Sequence, residues 1–130
     1  MTSQDNFEAL AKRLTGSGAR ASAPAVLVGR SGARHEFALA VQSAKGGPKV
    51  VVDTALSLKS VDDIQVLSFY AKVFDLSPEH AVLCVSPHLG PGGKVLAKEY
   101  KISVLENEVP KALVSMASEY IDDLLKGNKS

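Results

Sequence analysis

The chain has 130 residues, of which 45% are hydrophobic and 22% charged, and a formal net charge of +1. That length is typical of one domain around one core, so residues 1–130 are predicted to form a single domain. The apolar content is too high, and the net charge too low, for an intrinsically disordered chain. The near-zero charge also excludes a strongly basic, histone-like binder and an acidic tail protein.

No apolar run approaches the roughly 20 residues that a membrane-spanning helix needs. The first residues, MTSQDNFEALAKRL, lack the apolar segment of a secretory signal. We therefore expect a cytoplasmic protein with no membrane partner. The single cysteine, Cys84, lies in the apolar run AVLCV and is predicted to be a buried core thiol, not a disulfide or zinc ligand.

The first predicted element is an amphipathic helix over residues 3–14. Strands are predicted over Ala25–Val28, Arg34–Gln42 and Lys49–Thr54, and we expect them to form an antiparallel meander. The unbroken run Val50–Val52 is typical of a strand that is buried on both faces near the centre of a sheet.

A second helix is predicted to begin at Ser60, which has capping-box spacing to Asp63. The apolar stripe expected to face the core consists of Val61, Ile64, Leu67, Ala71 and Phe74. The elements predicted after this helix are a strand over His80–Ser86, a helix over Lys94–Tyr100, a strand over Ile102–Leu105 and a helix from Pro110.

The predicted order is therefore α-β-β-β-α-β-α-β-α. Consecutive strands favour antiparallel pairing and helical crossovers favour parallel pairing. The fold class expected is α/β, with a mixed five-stranded sheet flanked by helices on both faces. The wide apolar face of the last helix is explained either by packing on the sheet or by a homodimer interface.

The most informative stretch runs from Gly29 to Asp53 and reads GRSGARHEFALAVQSAKGGPKVVVD. A Ser-Gly turn leads into a strand that carries an acid, and a hairpin leads into a buried strand that ends in an acid. Together with the element order, this stretch resembles the restriction-endonuclease-like, or PD-(D/E)XK, nuclease superfamily, whose core order is α-β-β-β-α-β. The resemblance extends from the first helix to about Ser86.

The resemblance implies one carboxylate on the second strand and an acid-x-Lys triplet on the third, which bind a divalent cation and position water. Asp53 matches the acid of the triplet, but Ala38 and Ala55 stand where the second acid and the lysine are expected. This departure implies a degraded active site without a cofactor. If Glu36 and Lys72 replace the two missing groups, then Glu36 and Asp53 would bind magnesium and the protein would be active. The alternative is that these are ordinary strand and helix residues.

Basic residues cluster in the first half of the chain and around the Ser-Gly turn. The predicted nucleic-acid-binding residues are Arg30, Ser31, Arg34, Lys45, Lys49 and Lys94. The last of these follows a Gly-Pro-Gly-Gly turn, which lacks the spacing of a nucleotide P-loop but offers backbone N–H groups to one phosphate. The alternative is a mixed-charge surface and a plain strand-to-helix turn.

Three functions follow from these patterns. The first is an inactive nuclease-fold protein that binds nucleic acid, chiefly DNA, or a protein of the DNA or transcription machinery. The second is an active magnesium-dependent DNA endonuclease or junction resolvase. The third is a protein-interaction module that binds no nucleic acid, which the near-neutral charge favours.

Overall fold

The computed structural model describes residues 3–127 of the chain, and the side chains of residues 6–126. Its elements in chain order are α1 (Ser3–Gly16), β1 (Arg20–Ser22), β2 (Ala25–Val28), β3 (Arg34–Phe37), β4 (Leu39–Gln42), β5 (Pro48–Val61), α2 (Asp63–Leu76), β6 (His80–Leu89), α3 (Pro91–Glu99), β7 (Ser103–Glu106) and α4 (Ala112–Gly127). Between residues 3 and 127, no helix is long and apolar enough to cross a membrane.

Five strands form a mixed sheet in the order β1-β4-β5-β6-β7. Strand β4 is antiparallel to β1 and β5, whereas β5, β6 and β7 run parallel to one another. The predicted fold class, a mixed five-stranded α/β sheet flanked by helices, is thus confirmed. Strands β2 and β3 pair with each other in a separate two-stranded sheet.

The apolar core lies on both faces of the large sheet. Val50, Val51 and Val52 are fully buried at the centre, as their sequence predicts. Alternate residues of β5 contribute to two clusters, one with α1 and α4 and the other with α2 and α3. Because every strand residue must face one cluster or the other, an unbroken valine run is stable here.

The strand predicted over Arg34–Gln42 is broken at Ala38, which corrects the expected three-stranded meander. Phe37 and Ala40 pack towards α2, whereas Ala38 and Leu39 both pack towards α1 and α4. Two consecutive residues on one face interrupt the alternation of a strand, so β3 and β4 part into different sheets. All the residues around the break are apolar, and their pattern could not reveal it.

Two further boundaries differ from the sequence prediction. The short strand β1, with the sequence Arg-Ala-Ser, has no hydrophobic pattern, yet it pairs with β4 at the sheet edge. Ser60 does not cap α2, because it lies in β5 paired with His88. The N-cap is Asp62, whose carboxylate accepts a hydrogen bond from the Gln65 N–H.

The stripe predicted to be the core face of α2 lies instead on the outside of the protein, except for Val61, which is buried at the end of β5. Ile64, Leu67 and Phe74 are 66%, 44% and 63% exposed, and the buried residues of α2 are Val66 and Phe69. The helix is apolar around most of its circumference, so its periodicity alone does not identify the buried face. The direction of the chain where it leaves β5 and enters α2 decides which face of α2 packs on the sheet.

The apolar face of α4 packs on the sheet, so the first of its two explanations describes the structure. Leu113, Ala117 and Ile121 are buried against α1 and the central strands. An ion pair between Arg13 of α1 and Asp122 of α4, at 3.2 Å, joins the two helices on the outside.

Candidate functional site

The central feature of the candidate site is an ion pair between β5 and α2. The Lys72 ammonium donates hydrogen bonds to Asp53 Oδ2 at 2.5 Å and to the main-chain oxygen of Glu36 at 2.7 Å. The Lys72 and Asp53 side chains are 25% and 24% exposed. Two of the three predicted site residues are therefore in direct contact, and the third contributes its backbone.

Aromatic rings hold the Lys72 side chain in this position. Its Nζ atom lies 4.5 Å from the centre of the Phe37 ring, close enough for a cation–π interaction. Phe37 is buried and packs edge-to-face on Phe69 of α2. Since the support comes from three separate elements, the ammonium is fixed by the core and not by the helix alone.

A small cavity of about 160 Å³ opens beside this ion pair. It is lined by Asp53, Thr54, Ala55, Gln65, Ser68, Phe69, Lys72 and Leu83. The sequence interpretation missed Gln65 and Ser68, although a signal for them exists. With Lys72 they form a polar row at i, i+3 and i+7 in the middle of α2, between Asp63 and Asp75 at its ends, which places the three on one side of the helix.

Glu36 does not direct its carboxylate to the same place. His35 and Phe37 face α2, so Glu36 leaves β3 on the opposite side and is exposed. Across residues 3–127, no three His, Cys, Asp or Glu side chains are grouped so that they could bind a metal ion. The two-carboxylate magnesium site stays a prediction, and the direction of the Glu36 side chain argues against it.

The two alanines at the positions expected to carry catalytic groups are buried. Ala38 is 7% exposed and packs towards α1 and α4, whereas Ala55 is 4% exposed and lines the cavity beside Lys72. Asp53 and Ala55 lie on the same face of β5, two residues apart. Lys72 on α2 therefore contacts the Asp53 carboxylate beside the cavity that Ala55 lines. A lysine at position 55 would enter the same cavity.

The Ser-Gly turn is bound to the C-terminal end of α2 through Asp75. The Asp75 carboxylate accepts hydrogen bonds from the Ser31 N–H at 2.9 Å and the Ser31 hydroxyl at 2.6 Å. It also pairs with His35 Nε2 at 2.8 Å. The hydrogen bond from the Ser31 hydroxyl, followed by that of His35, lowers the pKa of Asp75 to about 2.

Gly29 and Arg30 complete this contact. A Cβ atom at Gly29 would overlap the Asp75 carboxylate, so the close approach requires glycine. The Arg30 guanidinium donates to the main-chain oxygen of Phe74 at 2.7 Å and lies 5.7 Å from the centre of its ring. Two predicted nucleic-acid-binding residues, Arg30 and Ser31, thus have structural roles at the end of α2.

The other predicted basic residues are spread over the surface. Arg34 is exposed on β3, Lys45 is exposed in the turn between β4 and β5, and Lys49 is half-buried at the start of β5. Lys94 is exposed on α3, with its Nζ atom 3.9 Å from Glu106 Oε2. The same Glu106 oxygen accepts the Leu89 N–H at 2.7 Å, which makes the start of α3 less favourable for an anion.

The glycine turn before α3 also has a packing explanation. A Cβ atom at Gly93 would come within 2.7 Å of the Leu89 side chain, so the lack of a side chain lets α3 approach β6. Cys84 is fully buried in β6, as predicted. Burial, with a smaller effect from the Asp53 charge, raises the pKa of its thiol to about 12.

Comparison of the sequence with protein-family models and with curated proteins finds no match. The structure resembles that of AF1548, a protein of unknown function, with a TM-score of 0.61 and 11% identity over 79% of this chain. It also resembles VC1899 from Vibrio cholerae, with a TM-score of 0.62 and 12% identity over 92% of this chain. At these identities the likeness shows a shared fold alone.

The chain spans only 57% of AF1548 and 33% of VC1899. A third structure, EndoMS in apo form, matches 56% of this chain and 33% of its own at 21% identity, with a TM-score of 0.36. A TM-score below 0.5 does not establish a shared fold.

Proposed function

We propose that this protein is a restriction-endonuclease-like domain that has lost hydrolytic activity and binds nucleic acid. The observation that carries the first half of the proposal is that, among the described residues, Asp53 has no second carboxylate grouped with it, since Ala38 is buried and the Glu36 side chain leaves the opposite face of β3. Asp53, which matches the family's metal ligand, also has the Lys72 ammonium beside its carboxylate.

Loss of hydrolysis follows from what a magnesium site requires. Magnesium is bound through carboxylates, waters and substrate phosphates in a near-octahedral arrangement. Asp53 would have to exchange a hydrogen-bonded ammonium for the metal ion. Among the side chains of residues 6–126, no second acid is grouped with Asp53 in place of Ala38, which is buried, and the Glu36 side chain leaves the opposite face of β3.

Nucleic-acid binding is supported by the exposed basic side chains that take no part in the contacts at the end of α2. Arg34 and Lys45 are both exposed, and Lys49 lies close to Lys45 in the chain. A duplex or single strand bound through such residues would be held by its phosphates, with little base specificity. The partner expected is therefore DNA, or another nucleic acid, bound in a salt-dependent manner.

The binding half is tested by retention of duplex, single-stranded and branched DNA across a salt series. Arg34→Ala and Lys45→Ala should weaken binding and each lower the slope of log K against log salt by about 1. Lys111→Ala, an exposed lysine just before α4, is the matched control and should leave the slope unchanged. No retention at low salt would favour a protein-interaction module instead.

The hydrolytic half is tested with the same DNAs in magnesium and in manganese. We expect no cleavage by the wild-type protein. Cleavage that Asp53→Asn abolishes would establish the second candidate, an active endonuclease or junction resolvase. One observation favours that candidate: Lys72 contacts Asp53 directly beside a small cavity, as the migrated catalytic lysine implied by the resemblance would. Cleavage that survives Asp53→Asn would place the active site elsewhere.

A further inference from the structure

The outer face of α2 is an apolar surface that no other helix or strand of the described residues covers; only Arg30 lies against its Phe74 end. Ile64, Leu67, Ala71 and Phe74 lie on it at helical spacing, and all four are exposed. Ser68 lies among them, and none of the five is charged. An apolar face of this length on a surface helix is typical of an interaction site.

The pattern on this face is self-complementary for two antiparallel copies of α2. If residue 69 of each copy lies at the centre, Ile64 lies opposite Phe74 of the second copy and Leu67 lies opposite its Ala71. Each pair joins one residue to a differently sized one, which suits interlocking side chains. Antiparallel helices also place opposite ends of their dipoles together.

Charge favours the same arrangement. Asp63, in the first turn of α2, and Phe74 are eleven residues apart and so lie about 20° apart around the helix. In an antiparallel pair related by a two-fold axis, Asp63 therefore approaches the Phe74 end of the second copy on the same side. The Arg30 guanidinium lies against the Phe74 ring at that end, and both Arg30 and Asp63 are exposed.

The remaining acid at that end does not oppose this contact. Asp75 lies about 100° from Phe74 and about 20° from Ile64 around the helix, at the edge of the outer face, but its carboxylate is turned to Ser31 and His35, which bind it. The two-fold axis would thus bring one acid–base contact to each end of an uncharged centre. Such an arrangement is the isologous interface of a C2 dimer.

We propose that a second copy of this chain covers the outer face of α2, in an antiparallel dimer with Asp63 of each copy beside Arg30 of the other. The proposal is independent of nucleic-acid binding. One helix face per copy is a small interface, so the expected dissociation constant is roughly 10–100 µM.

Sedimentation velocity over a concentration series from about 5 to 500 µM tests it, since this range spans the expected dissociation constant. Leu67→Glu would bury a charge in the interface and should weaken dimerisation at least about tenfold. Val109→Glu makes the same change at another exposed apolar residue, 55% exposed before α4, and should have no effect. A monomer at every concentration, or a dimer that Leu67→Glu leaves intact, would overturn the proposal.

A charge exchange tests the ends of the interface. Asp63→Arg and Arg30→Glu should each weaken the dimer by about fivefold to tenfold, and the double variant should return within about threefold of wild type. Circular dichroism checks that each variant is folded. A double variant no better than the single ones would refute the contact between Asp63 and Arg30.

Disulfide cross-linking tests the register without requiring a charged variant to fold. A mixture of Ile64→Cys and Phe74→Cys chains should form covalent dimers under mild oxidation, because these positions lie opposite each other. Neither variant alone should do so, because identical residues of the two copies are about 15 Å apart along the helix. Cross-linking of Ile64→Cys alone would indicate a parallel arrangement and reject the proposed one.

Discussion

Replacing Lys72 with methionine should show how much the ion pair at the candidate site stabilises the fold. Methionine keeps an unbranched apolar stem over the Phe37 ring and removes the ammonium. An exposed ion pair contributes about 0–1 kcal/mol, and removing one partner of a buried pair costs about 3–5 kcal/mol. Because a quarter of each side chain is exposed here, we expect a loss of about 2–3 kcal/mol.

Urea and thermal denaturation measure this change. For a chain of this length, about 2–3 kcal/mol corresponds to a fall in Tm of roughly 8–12 °C. Lys12→Met, the same substitution on the exposed side of α1, should stay within about 0.5 kcal/mol of wild type. If Lys72→Met is no more destabilising than Lys12→Met, the ion pair does not stabilise the fold and our account of the site is wrong.

A lysine introduced at position 55 extends this experiment. Ala55 and Lys72 line the same cavity, and both positions give access to Asp53. Lys72→Ala should therefore lower the free energy of unfolding. Adding Ala55→Lys to this variant should recover at least half of the loss, because a lysine two residues along β5 re-forms the ion pair with Asp53. Ala55→Lys alone should destabilise, because it places two ammonium groups beside one carboxylate. Failure of the double variant to recover any stability would contradict this geometry.

Further predictions concern the turn at α2 and the core thiol. Because the pKa of Asp75 is held at about 2, below its ordinary value of 3.8, its contribution to stability is present above about pH 4 and is lost as the pH falls towards 2. The urea midpoints of wild type and Asp75→Asn should thus differ at pH 7 and converge near pH 2; a difference independent of pH would contradict this. Gly29→Ala should destabilise by about 1–3 kcal/mol in urea denaturation, because its Cβ meets the Asp75 carboxylate, whereas Gly16→Ala meets no atom within 4 Å and should be neutral or slightly stabilising. Cys84 should react with a thiol reagent only at the rate of unfolding, since it is fully buried and its pKa is about 12; rapid reaction of the native protein would show that β6 is accessible.

Part of the candidate site could be predicted because the resemblance to the nuclease superfamily singles out Asp53 and Lys72. Asp53 follows a buried valine run, but it lies in the middle of β5, which continues to Val61. The resemblance implies a site of Glu36, Asp53 and Lys72; the structure brings the Asp53 and Lys72 side chains into contact, and their catalytic role stays a prediction. The role of Glu36 was not predictable, because the direction of its side chain depends on how β3 packs against α2 through His35 and Phe37.

The sequence by itself determined the alternation of helices and strands from α2 to α4, the burial of Val50–Val52 and Cys84, and the mixed sheet. These properties follow from hydrophobic runs and from turns, both of which act over a few residues. Only the tertiary structure decided that the apolar stripe of α2 faces outward and that the strand after the Ser-Gly turn divides at Ala38. In α2 and in the segment around Ala38, more than one face is apolar, so the periodicity of the sequence is compatible with more than one buried face. Long-range packing against the sheet selects the face that is buried.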